Sequence, residues 1–227
     1  MQYLALVPYF MILAGVGLSY VSMLPAMKGW MLCALGVLSG LGLAVSLVFA
    51  GRSDLLWAAA FAVLPSMVAI PMVINDLRYP HINDVATNVE HPMAFVAALQ
   101  AAPNTGRDMS FPNKNGPIIR EAYPNVRPLI LDEPLEQAFQ RIETLARTQP
   151  SWVITRRDAK AHTLEGEALT PFFRFINDFI INVSEQEGKA LINMRSKSRD
   201  GLVDAGTNAK RIQIFFEQLA KVKTTGG

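Results

Sequence analysis

Residues 191–212 read LINMRSKSRDGLVDAGTNAKRI. Alternate side chains of a strand share a face, so a strand ending here presents Asn193, Arg195, Lys197 and Arg199 on one side and Ile192, Met194, Ser196 and Ser198 on the other. Asp204, just before an apolar-periodic run, is placed to cap a helix, with Asn208 and Arg211 in its first turns. Two chemistries suit this pattern. One is an anion or partner site built from Arg195, Lys197, Arg199, Asp204, Asn208 and Arg211, with the helix N-terminus adding its dipole. The other is an internal ion-pair lattice with Glu165, Glu167, Asp178 and Asp204 as the carboxylates.

A second group, Asn83, Asp84, Thr87 and Asn88 in HINDVATN, is rich in oxygen. It can hold a hard cation or bond its own backbone in turns. No EF-hand spacing is present, and the role of this motif is left open. Catalysis has little support. Ser196 and Ser198 lie outside any G-x-S-x-G, and His81, His91 and His162 lack zincin or triad spacing. Glu165 and Glu167 share a strand face and so offer acid–base work, but exposure or ion pairing suits them better. The one cysteine, Cys33, excludes an internal disulfide and a cysteine metal site. No cofactor and no metal are expected, and the reading leans away from an enzyme.

The elements that carry these residues follow a membrane-like region. The chain has 227 residues, 51% apolar, with a mean hydropathy of +0.23. Up to Asn75 the only charged side chains are Lys28, Arg52 and Asp54. Three runs, about 3–24, 30–50 and 55–74, each match the roughly 20 residues a helix needs to cross a bilayer, which makes residues 1–75 a transmembrane region. Met1–Tyr20 lacks the basic start of a cleavable signal. Gly36 and Gly40, and more loosely Gly15 and Ser19, offer small-residue faces for helix packing or a homo-oligomer. Pro65 and Pro71 are expected to kink the third span. The absence of ionisable groups inside the spans argues against an ion or proton pathway. The net charge of +2 gives no field for nucleic acid.

Residues 76–131 read as a Pro/Asn-rich extended arm of the soluble domain, with a possible short helix at 94–102 and a strand at 126–131. Residues 132–223 read as an α+β core. Leu135, Ala138, Phe139, Ile142, Leu145 and Ala146 repeat at helical spacing, and Pro150 stops that helix. Strands follow at 152–155, 162–169, 179–184 and 190–198, the last two joined by EQEGK, and a final helix runs from Ala205 to Val222. The fold class is α+β: three N-terminal transmembrane helices, then a two-layer domain with an antiparallel sheet and two main helices.

Four stretches in order resemble the DUF1499 family: HINDVATN, LEGEALT, INDFIINV and RSKSRDGLVDAGTNAKRIQIFFEQL, covering about residues 80–222. Departures from the family pattern are Glu90-His91-Pro92, Asn177 and Asn182. The family carries no established activity, so the resemblance implies an unknown biochemical function. It also implies an exported domain. Loop charges alone lean towards a cytoplasmic domain, but by a single residue. The expectation is therefore an integral protein of the bacterial inner (cytoplasmic) membrane with a periplasmic domain. Membrane lipids and another envelope protein are the expected partners, and nucleic acid is not. Two functions stand: a non-enzymatic interaction or assembly factor docking on an envelope partner, or a lipid or amphiphile binder using an apolar pocket and the basic face.

Overall fold

The computed structural model describes residues 2–221. Two units divide the chain. One holds the residues up to Arg78 and the loop Thr170–Phe175; the other holds Tyr79–Leu169 and the chain from Ile176 on.

In the first unit, a 3-10 turn at Gln2–Leu6 leads into α1 (Val7–Tyr20), followed by α2 (Ala26–Phe49) and α3 (Leu56–Asp76). With their flanking turns they form three helices, Gln2–Tyr20, Ala26–Phe49 and Ser53–Asp76, each long and apolar enough to span a membrane. Lys28 falls inside the first turn of α2, whose start lies before the expected Trp30. α3 continues through Pro65 and Pro71. Glycines set the packing. Gly15 and Gly29 face each other: a Cβ on Gly15 would stand 2.5 Å from the Gly29 carbonyl oxygen. Gly36 lies against Pro8 and Met11 of α1, and Gly40 against the Ala62 carbonyl of α3. The small-residue faces are thus used within the bundle. The Tyr9 hydroxyl donates to the Phe61 carbonyl at 2.7 Å, and the two rings stack. Phe10, Leu13, Leu38, Phe49 and Met67 point outward. A surface that apolar is stable in lipid, not in water.

The second unit is an antiparallel sheet. Its strands are β1 (Asp84–Ala86), β2 (Leu129–Leu131), β3 (Trp152–Asp158), β4 (Thr163–Leu169), β5 (Ile176–Gln186) and β6 (Lys189–Ser198). Their order is β1-β6-β5-β4-β3, and β2 also pairs with β6. β5 and β6 form a hairpin in which Gln186 faces Lys189. Glu187 and Gly188 both have positive φ, 53° and 76°, as a two-residue turn matching strand twist requires. β3 carries a bulge between Ile154 and Arg156.

Helices α4 (Ala97–Gln100), α5 (Asn115–Ala122), α6 (Leu135–Thr148) and α7 (Thr207–Lys221) complete the unit. α5 is absent from the sequence-based reading because Gly116 and Pro117 suggest a turn; at a helix start proline's missing N–H costs nothing. The expected end of the last helix, Val222, and residue 223 lie outside the described residues. α6 and α7 cover one face of the sheet. Phe139, Ile142, Leu164, Phe179, Ile181, Ile192, Met194, Ile212, Phe215 and Leu219 fill the space between with almost no exposure. The Trp152 ring packs on Phe179 and Phe215, at 4.3 and 5.1 Å between centroids. Phe179 also lies over Gly166, where a Cβ would come within 2.5 Å of its ring. Arg141 of α6 reaches the Leu219 carbonyl of α7 at 2.9 Å and Glu133 at 2.9 Å.

The other face is covered by the arm. Phe95, Ala98 and Met109 pack with Ile180 of β5, and Met93 joins them. The arm is more than an extended strap: it supplies β1, α4, α5 and β2.

Candidate functional site

The side chains of β6 separate by parity as alternation requires. Met194, Ser196 and Ser198 face the helices; Arg195 and Lys197 face the arm, and Arg199 follows on that side.

Arg195 is 1% exposed. Its Nε and Nη2 donate to the two oxygens of Asp84 at 3.0 and 2.8 Å. Nη1 donates to the Met93 carbonyl at 2.6 Å, and Nη2 also to the Met109 carbonyl at 2.8 Å. The guanidinium lies over the rings of Phe95 and Phe111, at 4.6 and 5.5 Å. One buried cation therefore holds both ends of the arm's passage over the sheet. Lys197 Nζ donates to the same Asp84 carboxylate at 3.0 Å. Arg199 binds Asp178 with Nε and Nη2 at 2.9 and 2.5 Å and reaches Glu167 at 2.5 Å. Burial alone would depress its pKa, but the hydrogen bonds and charges of Asp178 and Glu167 outweigh burial and raise it.

The geometry is an ion-pair lattice, with differences from the expected partners. Among the described residues Glu165 pairs with no cation: its carboxylate accepts the N–H groups of Val96, Ala97 and Ala98 at 2.9–3.2 Å and ties down the start of α4. Asp204 accepts from the Gly206 and Asn208 N–H groups at 2.9 and 2.8 Å, capping α7. Burial raises the Asp204 carboxyl against the pull of those bonds.

On the helix-facing side, Asn208 is fully buried. Its Nδ2 donates to the Asn83 carbonyl and to Ser198 Oγ, both at 3.0 Å. Its Oδ1 accepts from Ser196 Oγ and from Arg211 Nη1, both at 2.7 Å. Arg211 also donates to Ser196 Oγ at 3.0 Å; burial pushes its pKa down to about 10, with Asp204 opposing, so it stays charged at neutral pH. These partners of Ser196 are an amide and a cation, neither of which can take its proton.

The HINDVATN residues are joined to the same construction. Asn83 Nδ2 donates to the Gly201 carbonyl at 2.7 Å, and its own carbonyl accepts the Ser198 N–H at 2.8 Å. The Thr87 hydroxyl donates to Asn193 Oδ1 at 3.1 Å and accepts the Met194 N–H at 3.0 Å. Asn88 Oδ1 accepts the His91 N–H at 2.9 Å, a local turn. Sequence reasoning paired none of these residues with the basic strand. Asp84 and Arg195 are 111 positions apart, and the ion-pair reading of the sequence named Glu165, Glu167, Asp178 and Asp204 instead.

Two of the depressions on this unit involve these residues. A cleft of about 340 Å³ includes Asn83, Asn104, Asp178, Lys197, Arg199 and Gly201 in its lining, so both motif groups meet there. A second, wider groove of about 530 Å³ has Val89, Ile119, Tyr123 and Val126 in its lining together with Arg120 and Arg127.

A comparison with curated proteins finds no match. The family model described as "Protein of unknown function (DUF1499)" matches residues 84–219. That span runs from the first residue of β1, whose carboxylate holds Arg195, to the end of the α7 core face, so the match coincides with the unit the lattice closes. The chain belongs to the DUF1499 family, with three membrane-length apolar helices ahead of the family domain.

Proposed function

We propose that this is a non-enzymatic interaction or assembly factor of the bacterial inner (cytoplasmic) membrane, whose α+β unit lies on the periplasmic side and docks on another envelope protein. The observation that supports it is the open edge of the sheet. Among the described residues β3 has a strand neighbour on one side only. α4 packs against β3 and β4, and it places Leu99 and the preceding Val96, both exposed, on the same face as exposed Val153. The bulge after Ile154, with Arg156, Arg157 and Asp158, protects the far half of the edge. The half around Val153 lacks that protection and is a template for an added strand beside apolar surface. The filled core between sheet and helices favours binding on the external surface.

The test is co-purification after gentle detergent extraction, comparing the full chain with Leu99→Glu and Val153→Lys. A proteinaceous partner retained by the wild type and lost from both folded variants supports docking at this edge. Identical partner sets in all three would refute it.

A second reading, a lipid or amphiphile binder, has one observation in its favour. The 530 Å³ groove joins an apolar floor of Ile119, Tyr123 and Val126 to the rim cations Arg120 and Arg127. Mass spectrometry of lipids carried by the wild type and by Arg127→Glu separates the two readings.

A further inference from the structure

Among the described residues beyond Arg78, the two most exposed large apolar side chains are Leu202 and Phe172, at 85% and 66%. Either alone would be ordinary on a protein surface. Their common placement is not. Phe172 lies in the loop between β4 and β5, and Leu202 in the turn between β6 and α7. Asn177 of β5 pairs with Ser198 of β6, and the Arg199 N–H donates to the Ile176 carbonyl at 3.0 Å. Loop and turn therefore leave the sheet at one end, and the tight hairpin at Glu187 and Gly188 closes the other.

The chain enters the α+β unit at that same end. Asp76 ends α3, and Tyr79, a short step later, packs on the turn: a Cβ on Gly206 would stand 2.5 Å from its ring. The Asp204 N–H donates to the Ile82 carbonyl at 3.1 Å, and Asn83 Nδ2 to the Gly201 carbonyl at 2.7 Å. The step from Asp76 to Tyr79 can cover at most about 11 Å. Covalent reach thus tethers the turn that carries Leu202 close to the end of a membrane-length helix. The loop that carries Phe172 belongs to the same unit as those helices.

The loop is fastened at its base. The Thr170 N–H donates to the Phe175 carbonyl at 2.9 Å, and the Phe175 N–H donates to Thr170 Oγ1 at 3.0 Å. Phe172 and Arg174 have positive φ, 64° and 61°, a conformation that bulky side chains keep only where their surroundings fix it. Arg174 is the one charged residue of the loop and forms no ion pair among the described residues. Apolar tips beside a long cation suit the boundary between headgroups and acyl chains: the tips enter, and the cation stays at the phosphates. A tethered unit needs only a weak contact, because the tether keeps its effective concentration high.

We propose that this end of the α+β unit rests on the lipid surface of the bilayer that its three apolar helices enter, with Phe172 and Leu202 in the interface and Arg174 at the headgroups. A single cation gives little preference for anionic lipid, so burial of the apolar tips drives the contact. This goes beyond the docking proposed at the β3 edge and does not depend on it.

The experiment uses the full chain with Cys33→Ser, carrying a bimane label at Leu202→Cys or, as the control at the other end of the sheet, at Glu187→Cys. Each is reconstituted in phosphatidylcholine vesicles free of other proteins, and quenching by lipids with a nitroxide just below the headgroup is measured. The label at position 202 should be quenched about threefold or more over the control, as an interfacial site is. Adding Phe172→Asp should cut that quenching about three- to fivefold, because a weak contact shared by two apolar tips fails when one becomes ionic. Phe172→Ser gives the same reading if the aspartate variant does not fold. Equal quenching at the two positions overturns the proposal. So does unchanged quenching in the folded Phe172 variants, which would mean that the label inserts by itself. Quenching that appears only with added anionic lipid would equally overturn it.

Discussion

Asp84 and Arg195 form a bidentate ion pair with both side chains removed from solvent, at 2.8 and 3.0 Å. The pair joins the first strand of the family domain to its last. Because Arg195 also holds the Met93 and Met109 carbonyls, losing it frees the arm as well as a charge. Breaking a buried pair costs about 3–5 kcal/mol. Arg195→Met should lower the melting temperature sharply and speed hydrogen exchange across 84–111. Asp84→Leu combined with Arg195→Met and Lys197→Met should recover part of the loss, since none of the three linked charges is then left buried alone. An unchanged melt for Arg195→Met would mean that the pair does not hold the arm.

The three cations of the strand should not be equivalent. Arg199 is held by two carboxylates and is hardly exposed, whereas Lys197 shares a carboxylate that Arg195 already satisfies. Arg199→Ala should cost several kcal/mol, of the order of a broken buried pair. Lys197→Met should cost about 1 kcal/mol. Thermal unfolding of the two variants in the same detergent checks the order.

The turn before α7 combines a cap with a backbone demand. Asp204→Ala should cost about 0.5–2 kcal/mol, and Asp204→Asn less. Gly206 has φ +75°, and a Cβ there would stand 2.5 Å from the Tyr79 ring. Gly206→Ala should therefore cost more than 1 kcal/mol, through strain and collision together. Chemical denaturation of the three variants ranks them.

Acid should weaken one contact on the helix side. Arg157 hydrogen-bonds Glu143 at 2.6 Å, and Arg147 adds a second contact. Chiefly through Arg157, with burial opposing, the Glu143 carboxyl is held below its ordinary range. A depressed carboxylate contributes stability that is present above its unfolded pKa and lost as the pH falls through the folded one. The stability gap between wild type and Glu143→Gln should be full above the ordinary glutamate value, about 4.3, and shrink on further acidification. A gap independent of pH in that window would rule out this ionisation as the cause.

In the membrane unit, Gly40 lies against the Ala62 carbonyl and leaves no room for a side chain. Gly40→Leu should loosen the helix bundle, lowering its thermal stability in detergent by roughly 1–3 kcal/mol. It should not release the chain from vesicles washed with alkaline carbonate, because insertion depends on the apolar length of each span. Release of the wild type by that wash would contradict integration itself.

Local rules made much of this protein legible. Charge-free runs of bilayer length mark α1–α3, helical spacing from Leu135 to Ala146 marks α6, and strand alternation correctly sorts Arg195, Lys197 and Arg199 from Met194, Ser196 and Ser198. The cap at Asp204 is equally local. α5 escaped notice because Gly116 and Pro117 carry turn-like propensities that the contacts of Ile119 and Tyr123 override. The partners of the cations escaped for a different reason. A strand's period states which side chains share a face, but not which distant segment will cover that face. That Asp84 meets Arg195 and that Glu165 anchors α4 depend on how the arm crosses the sheet. Side-chain periodicity is inherited from the covalent backbone, whereas pairing across more than a hundred residues exists only once the chain has closed on itself.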